Sequence, residues 1–248
     1  MTLEQFFAEN REVAIAFSGG VDSAYLLYAA TRYAARVKAY YVSTAFQPEF
    51  ELEDARRLAN ELGADMQVLH VDVLMSGAVT ANPSDRCYHC KNTLFRQILR
   101  AAENDGFPVL LDGTNASDDA GDRPGMRALR ELSVRSPLRE CGLTKAEIRR
   151  LSREAGLFTW DKPAYACLAT RIRTGEEITL QKLKQTEKAE GFLFGLGFRD
   201  FRVRMVDNTA KLELRETDLP LLLENREKIV TELRKDYDSV LLNLEVRK

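Results

Sequence analysis

Residues 18–23 read Ser-Gly-Gly-Val-Asp-Ser and stand between a short apolar run, Val13 to Phe17, and a helix-forming stretch rich in Ala, Leu and Tyr, Ala24 to Ala35. Strand, glycine loop and helix in that order constrain the chain strongly. Two glycines let the backbone come close to an anion, successive N–H groups point into one concavity, and the helix presents its positive end to the same place. The loop therefore predicts phosphate binding by Ser18, Gly19, Gly20 and Ser23. It has no lysine and does not match GxxxxGK[ST], so transfer of a terminal phosphoryl group is not the chemistry it predicts. Asp22 repels phosphate unless a cation lies between them, which makes Mg²⁺ the expected partner of that carboxylate. The same Ser and Asp would serve as caps in an ordinary polar turn. The strand-loop-helix context favours the anion site.

Further along, Val37 to Val42 reads as a strand, Glu49 to Leu62 carries Leu52, Ala55, Leu58, Ala59 and Leu62 at helical spacing, and Met66 to Val71 restores the strand pattern. Alternating strands and helices predict a parallel sheet covered on both faces, with ligands beyond the carboxyl ends of its strands. Tyr88 to Ala102 reads as a helix. Val109 to Leu111 reads as a strand opening into Asp112, Gly113, Thr114 and Asn115, a second loop suited to contact a nucleotide or substrate. Thr144 to Ala155 is a helix with Thr144 as N-cap. Residues 157–175 lack periodicity and contain Pro163, Cys167, Arg171 and Arg173, as expected of a functional loop at a domain junction. Beyond it, Glu176 to Leu196 is helical, Phe201 to Val206 and Lys211 to Leu214 alternate as strands joined at 207–209, Leu219 to Lys235 is helical, and Val240 to Val246 is a last strand. The predicted fold class is α/β, a Rossmann-like parallel-sheet domain over 1–166, with a small α+β domain over 167–248. A chain of 248 residues accommodates both.

The balance of 36 basic and 38 acidic residues leaves no electrostatic footprint for nucleic acid. Acidic residues precede the first apolar run, the wrong order for a secretory signal, and no apolar stretch is long enough for a bilayer. The expectation is a cytoplasmic enzyme with small-molecule partners, in which cysteines serve as ligands or reactive thiols rather than structural disulfides. Cys87 and Cys90 form CxxC, Cys167 lies in the junction loop, and Cys141 has no sequence neighbour to pair with. CxxC alone serves zinc, redox pairs and iron-sulfur clusters alike, and His89 or His70 keeps a zinc reading open. Three cysteines without a fourth would leave one iron of a cubane cluster open to sulfide. Arg202 and Arg204, two apart on a strand, share a face and are placed to fork onto a phosphate, or form a solvated charged face. Lys91, Lys162 and Arg171 are further candidates to neutralise phosphate. Tyr88 and Trp160 are candidates to stack on a ring or to fill core.

SGGVDS resembles the pyrophosphate loop, or PP-loop, of the N-type ATP pyrophosphatases, a group that includes GMP and NAD synthetases and tRNA thiolases. NPSDRCYHCK at 82–91, DGTNASD at 112–118, KPAYACLATRI at 162–172 and RVR at 202–204 narrow the likeness. Together they resemble the LarE family of ATP-dependent sulfur transferases, which act in nickel-pincer nucleotide biosynthesis. The resemblance implies ATP and Mg²⁺ as cofactors and adenylation of a carboxylate of pyridinium-3,5-biscarboxylate mononucleotide, with pyrophosphate released and oxygen replaced by sulfur. It implies catalytic roles for Cys167, Asp22 and Glu190, the last orienting one of the RVR arginines, and a homo-oligomer. The cysteine pattern matches members in which Cys87, Cys90 and Cys167 hold a 4Fe-4S cluster rather than those that sacrifice the loop cysteine. The rival readings are a tRNA thiolase and a non-catalytic adenine-nucleotide-binding module.

Overall fold

The structure is a computed structural model, and it describes residues 1–118 and 124–247. The chain forms two compact units, one of Met1–Val73 with Asp85–Ala164, the other of Leu74–Ser84 with Tyr165–Lys248. The sequence pattern does not separate residues 74–84 from the first unit. Asn82 binds them to the second: buried and in the left-handed region at φ 52°, it donates through Nδ2 to the Arg173 carbonyl at 2.8 Å and accepts Gly175 N–H at 2.8 Å.

The first unit begins with α1 (Leu3–Glu9), whose Thr2 and Gln5 make a reciprocal capping box. There follow β1 (Glu12–Ala16), α2 (Val21–Tyr33), β2 (Arg36–Ser43), α3 (Glu49–Glu61) and β3 (Asp65–His70). After α4 (Gly77–Thr80), which belongs to the second unit, come α5 (Arg86–Asn104), β4 (Val109–Leu111), α6 (Pro124–Glu131), α7 (Pro137–Glu140) and α8 (Lys145–Glu154). The four strands lie in the order β3-β2-β1-β4, all parallel. Alternate residues feed opposite faces, as a strand requires. Val13, Ile15, Ala39, Tyr41 and Leu111 join one core with Phe6, Phe7, Leu26, Leu58 and Ile148, whereas Ala14, Tyr40 and Leu110 join another with Ile98, Ala102 and Phe107. The chain runs outward from β1 to β3 and then returns to place β4 on the other side of β1. That reversal is the topological switch point, outside whose strand ends α/β sheets bind ligands.

The second unit holds α9 (Leu180–Gly195), β5 (Arg202–Val206), β6 (Thr209–Glu213), α10 (Leu219–Leu233) and β7 (Ser239–Leu242). Its sheet has the order β5-β6-β7, antiparallel then parallel. Val203, Met205, Ala210 and Leu212 face a core completed by Ala189 and Leu193 of α9 and by Leu222, Ile229 and Leu233 of α10. The expected helix from Glu176 starts only at Leu180, because Thr179 accepts the Lys182 N–H and caps it there. β7 also stops before the expected Val246. No helix among the described residues is long and apolar enough to cross a membrane.

Candidate active site

The PP-loop runs from β1 into α2, and the helix begins earlier than the pattern predicts, at Val21 instead of Ala24, with Gly20 as N-cap. Gly19 turns the chain at φ 73°, and a Cβ there would lie 3.2 Å from Ala55 Cβ, so conformation and close packing both call for glycine. Asp22 and Ser23 consequently lie in the first helical turn rather than in a loop before it. A carboxylate is favoured at that positive end. Ser23 is buried; its Oγ donates to the Gly20 carbonyl at 3.1 Å and accepts Ser18 N–H at 3.3 Å. Ser23 thus clasps the turn from within, and Ser18, exposed, keeps its hydroxyl at the mouth.

The second loop leaves β4 beside β1 and lies against the start of α2. A Cβ on Gly113 would stand 2.9 Å from Ser23 N, a contact no side chain tolerates. The two loops are pressed together because this position is glycine. Asp112, Thr114 and Asn115 are all buried, and each is used to hold the loop: Asp112 accepts from the Thr114 hydroxyl at 2.5 Å and from the Ser136 hydroxyl at 2.6 Å. Asn115 accepts Ser117 N–H at 2.8 Å and donates through Nδ2 to Asp22 Oδ1 at 3.3 Å.

Sequence reasoning missed Lys145. Its Nζ donates to Asp22 Oδ2 at 2.5 Å, so a cation already stands where the sequence called for a metal to offset the carboxylate. Lys145 is the first residue of α8, fixed there by the Thr144–Glu147 capping box and by its own N–H donating to Ser117 Oγ at 3.0 Å. A lysine facing the positive end of a helix was the available signal, since that placement needs a compensating anion.

The remaining basic candidates divide sharply. Lys91 lies on α5 with its stem against α6, 3.2 Å from where a Gly125 Cβ would stand, and Lys162 pairs with Asp54 at 2.7 Å. Arg171, expected to meet phosphate, is 1% exposed and has its donors engaged by protein. Nε and Nη2 donate to the two oxygens of Glu190 at 2.8 and 2.9 Å, and Nη1 donates to the Ala166 carbonyl at 2.6 Å. Burial opposes the Arg171 charge, but the Glu190 hydrogen bonds and charge outweigh it and hold its pKa above the ordinary value. Among the described contacts Glu190 makes no hydrogen bond to the side chain of an RVR arginine. It holds Arg171, accepts from the Tyr165 hydroxyl, and accepts the Val203 N–H at 2.9 Å, which anchors β5 between the two arginines.

Arg202 and Arg204 do share a face of β5. Arg204 is committed to Glu213 at 2.7 Å and to the Thr170 carbonyl at 2.6 Å. Arg202 is half-buried; its burial, together with the charges of Arg171, Arg247 and Arg204, lowers its pKa. A cation held in that setting is suited to an anion.

The structure places Cys87 and Cys90 in the first turns of α5, three residues apart and hence on one helix face, and Cys167 at the N-cap of a short 3₁₀ turn, Leu168–Arg171. The first two belong to the first unit and Cys167 to the second. His89 stands 3.4 Å from Asp85. Among the described residues, neither unit gathers three or more His, Cys, Asp or Glu side chains in a group that would hold a metal ion. Cys141 packs against the first core, where burial raises its pKa. Tyr88 lies under the Arg127 guanidinium at 3.9 Å and donates to Glu131 at 2.7 Å, and Trp160 lies under Arg153 at 5.0 Å, so both rings are engaged within the protein.

A glycine turn opening α2 at the switch point, faced by a second glycine-dependent loop from the adjacent strand, defines a nucleotide-binding domain of the PP-loop class. The asparagine synthase family model matches residues 4–117. An uncharacterised protein of Synechocystis is 40% identical over 86% of this chain and 80% of its own length. The pyridinium-3,5-bisthiocarboxylic acid mononucleotide synthase of Lactiplantibacillus plantarum is 33% identical over 87% of this chain and 79% of its own. A tRNA-specific 2-thiouridylase of Thermotoga petrophila is 26% identical over 59% of this chain and 52% of its own. The chain belongs to the family of that synthase, the LarE-type ATP-dependent sulfurtransferases.

Proposed function

We propose that this enzyme adenylates a carboxylate of pyridinium-3,5-biscarboxylate mononucleotide and replaces the activated oxygen by sulfur. A carboxylate oxygen attacks the α-phosphorus of ATP, the bond from that phosphorus to the bridging oxygen breaks, and pyrophosphate leaves. A sulfur nucleophile then attacks the acyl carbon, and AMP departs with the former carboxylate oxygen. AMP is a far better leaving group than oxide. The observation that carries the reading is the pair of glycine-dependent loops, pressed together by Gly113, at the mouth of the sheet. The resemblance to the synthase over most of both chains supports the substrate.

In this reading the first unit takes ATP. The backbone of Gly19 and Gly20 with Ser18 and Ser23 cradles the pyrophosphate, Lys145 meets its charge, and Asp22 holds Mg²⁺. A carboxylate beside the exposed Ser18 hydroxyl offers hard oxygens that fit this ion, which when bound neutralises phosphate charge. Asp112, Gly113, Thr114 and Asn115 form the opposite wall, and Lys91 adds positive charge. The second unit takes the mononucleotide phosphate through Arg202, with Arg204, Arg171 and Glu190 shaping the strand that presents it.

Cys87, Cys90 and Cys167 are the residues that would hold a 4Fe-4S cluster; the one-turn spacing of the first two on α5 fits two ligands of such a group. When bound, a cluster with three thiolate ligands supplies an exchangeable sulfide at its remaining iron. Anaerobic reconstitution with iron and sulfide should give a cluster absorbance that needs all three thiols and survives Cys141→Ser. Absorbance that persists without Cys167 removes that residue from the ligand set.

The decisive test of function is pyrophosphate release from ATP. It should appear with the pyridinium dicarboxylate mononucleotide and be absent without it. Release driven by tRNA in its place would move the enzyme to the thiouridylases.

A further inference from the structure

Both carboxylate oxygens of Asp22 are taken, Oδ2 by Lys145 at 2.5 Å and Oδ1 by Asn115 at 3.3 Å. The two contacts differ in kind. Asn115 is buried and fixed by Ser117, whereas Lys145 is one-third exposed and carries its ammonium on a flexible four-carbon stem. The backbone at Lys145 is firmly held by the capping box and Ser117. Only the side chain is free to exchange partners. Its position, first in α8, is unfavourable for a cation unless an anion stands nearby.

We propose that Lys145 is a positioning residue that keeps Asp22 closed to a bare metal ion and releases it only to a metal that arrives with ATP. The inference rests on the ATP site proposed above. Pyrophosphate oxygens offer the ammonium a stronger partner than one carboxylate, because they bring more negative charge within its reach. Once Lys145 moves to them, an oxygen of Asp22 is exposed to the cation that accompanies the nucleotide. Metal and ATP therefore bind with positive coupling, and the enzyme avoids filling its site with metal alone. Coupling between ligands is reciprocal, so the same device strengthens nucleotide binding when metal is present.

The test uses the full-length protein, Mn²⁺ counted by the electron paramagnetic resonance of the free ion, and α,β-methylene-ATP, which cannot release pyrophosphate. Wild type should bind Mn²⁺ weakly alone and more tightly with the analogue. Lys145→Met, which keeps the length of the stem, should bind Mn²⁺ alone on the order of tenfold more tightly than wild type and gain little from the analogue. Lys145→Arg should retain the suppression. Asp22→Asn combined with Lys145→Met should lose the gained affinity, and its persistence would place the metal elsewhere and overturn the inference. Equal or weaker Mn²⁺ binding by Lys145→Met, with the analogue still bound by wild type, overturns the inference while sparing the ATP site. If wild type binds no analogue with or without Mn²⁺, both fall. A residue that merely supported the fold would lower metal affinity when replaced, not raise it.

Discussion

The two units present their charged residues in opposite ways. Around the PP-loop, the side chains of Ser18, Asp22 and Lys145 are held by one or two contacts each and remain partly open to solvent. In the second unit the ion pair of Arg171 and Glu190 is 0% and 1% exposed at its side chains, and it is ringed by further hydrogen bonds to Ala166, Tyr165 and Val203. The first arrangement trades partners with a ligand easily. The second cannot, since separating a buried pair strands a charge in low dielectric. Two arginines from separate motif segments thus differ: Arg171 is buried in an ion pair, and Arg202, half-buried on β5, is the one proposed to meet an anion.

The largest effect expected from this contrast is on stability. Glu190→Ala leaves Arg171 buried without its carboxylate and should cost the second unit about 3 to 5 kcal/mol, read as an early transition in denaturant unfolding. The affinity of the first unit for an ATP analogue should change little. An equal loss of ATP binding would erase the distinction between an architectural pair and an open site.

Gly113→Ala probes the open site in the other direction. Its Cβ would meet backbone atoms of Ser23 and Asp22, which have no rotamer to escape into, so the two loops must part. Overpacking of this kind costs about 1 to 3 kcal/mol. Because it falls on the turn proposed to face phosphate, calorimetry should register it as weaker nucleotide binding, by about tenfold, with the second unit unaffected. Unchanged nucleotide affinity would mean that the turn does not touch phosphate.

The smallest effect should sharpen the roles of the two RVR arginines. Arg202→Ala should remove a charge-assisted contact worth about 1.5 to 3 kcal/mol, raising the mononucleotide concentration needed for pyrophosphate release by an order of magnitude or more. Arg204→Ala, which breaks bonds to Glu213 and the Thr170 carbonyl, should shift the unfolding midpoint more than the substrate requirement. A reversed pattern would assign the phosphate to Arg204.

Much of the fold is local enough to be read along the chain. Period-two and period-3.6 apolar patterns place β1 to β4, α3, α5, α8 and α10 within a few residues of their positions, and the RVR alternation correctly sets both arginines on one face of β5. Short elements such as α6 and α7 carry too few turns to show a period. α2 starts earlier than its apolar pattern indicates because a helix fed by a glycine turn can begin on polar residues, and Asp22 and Ser23 then look like loop.

By itself the sequence determined a glycine loop at the end of a parallel strand, a second glycine loop, and the spacing of the cysteines and arginines. Those are properties of residue type and short spacing, set by backbone sterics and side-chain chemistry. Tertiary structure alone decided which of these residues remain available. Lys145 reaches Asp22 across 123 residues of chain, Asn115 across 93, and Glu190 takes Arg171 instead of an RVR arginine. Whether a charge is spent on the protein or kept for a ligand depends on burial and on the nearest opposite charge, and neither exists until distant segments have packed.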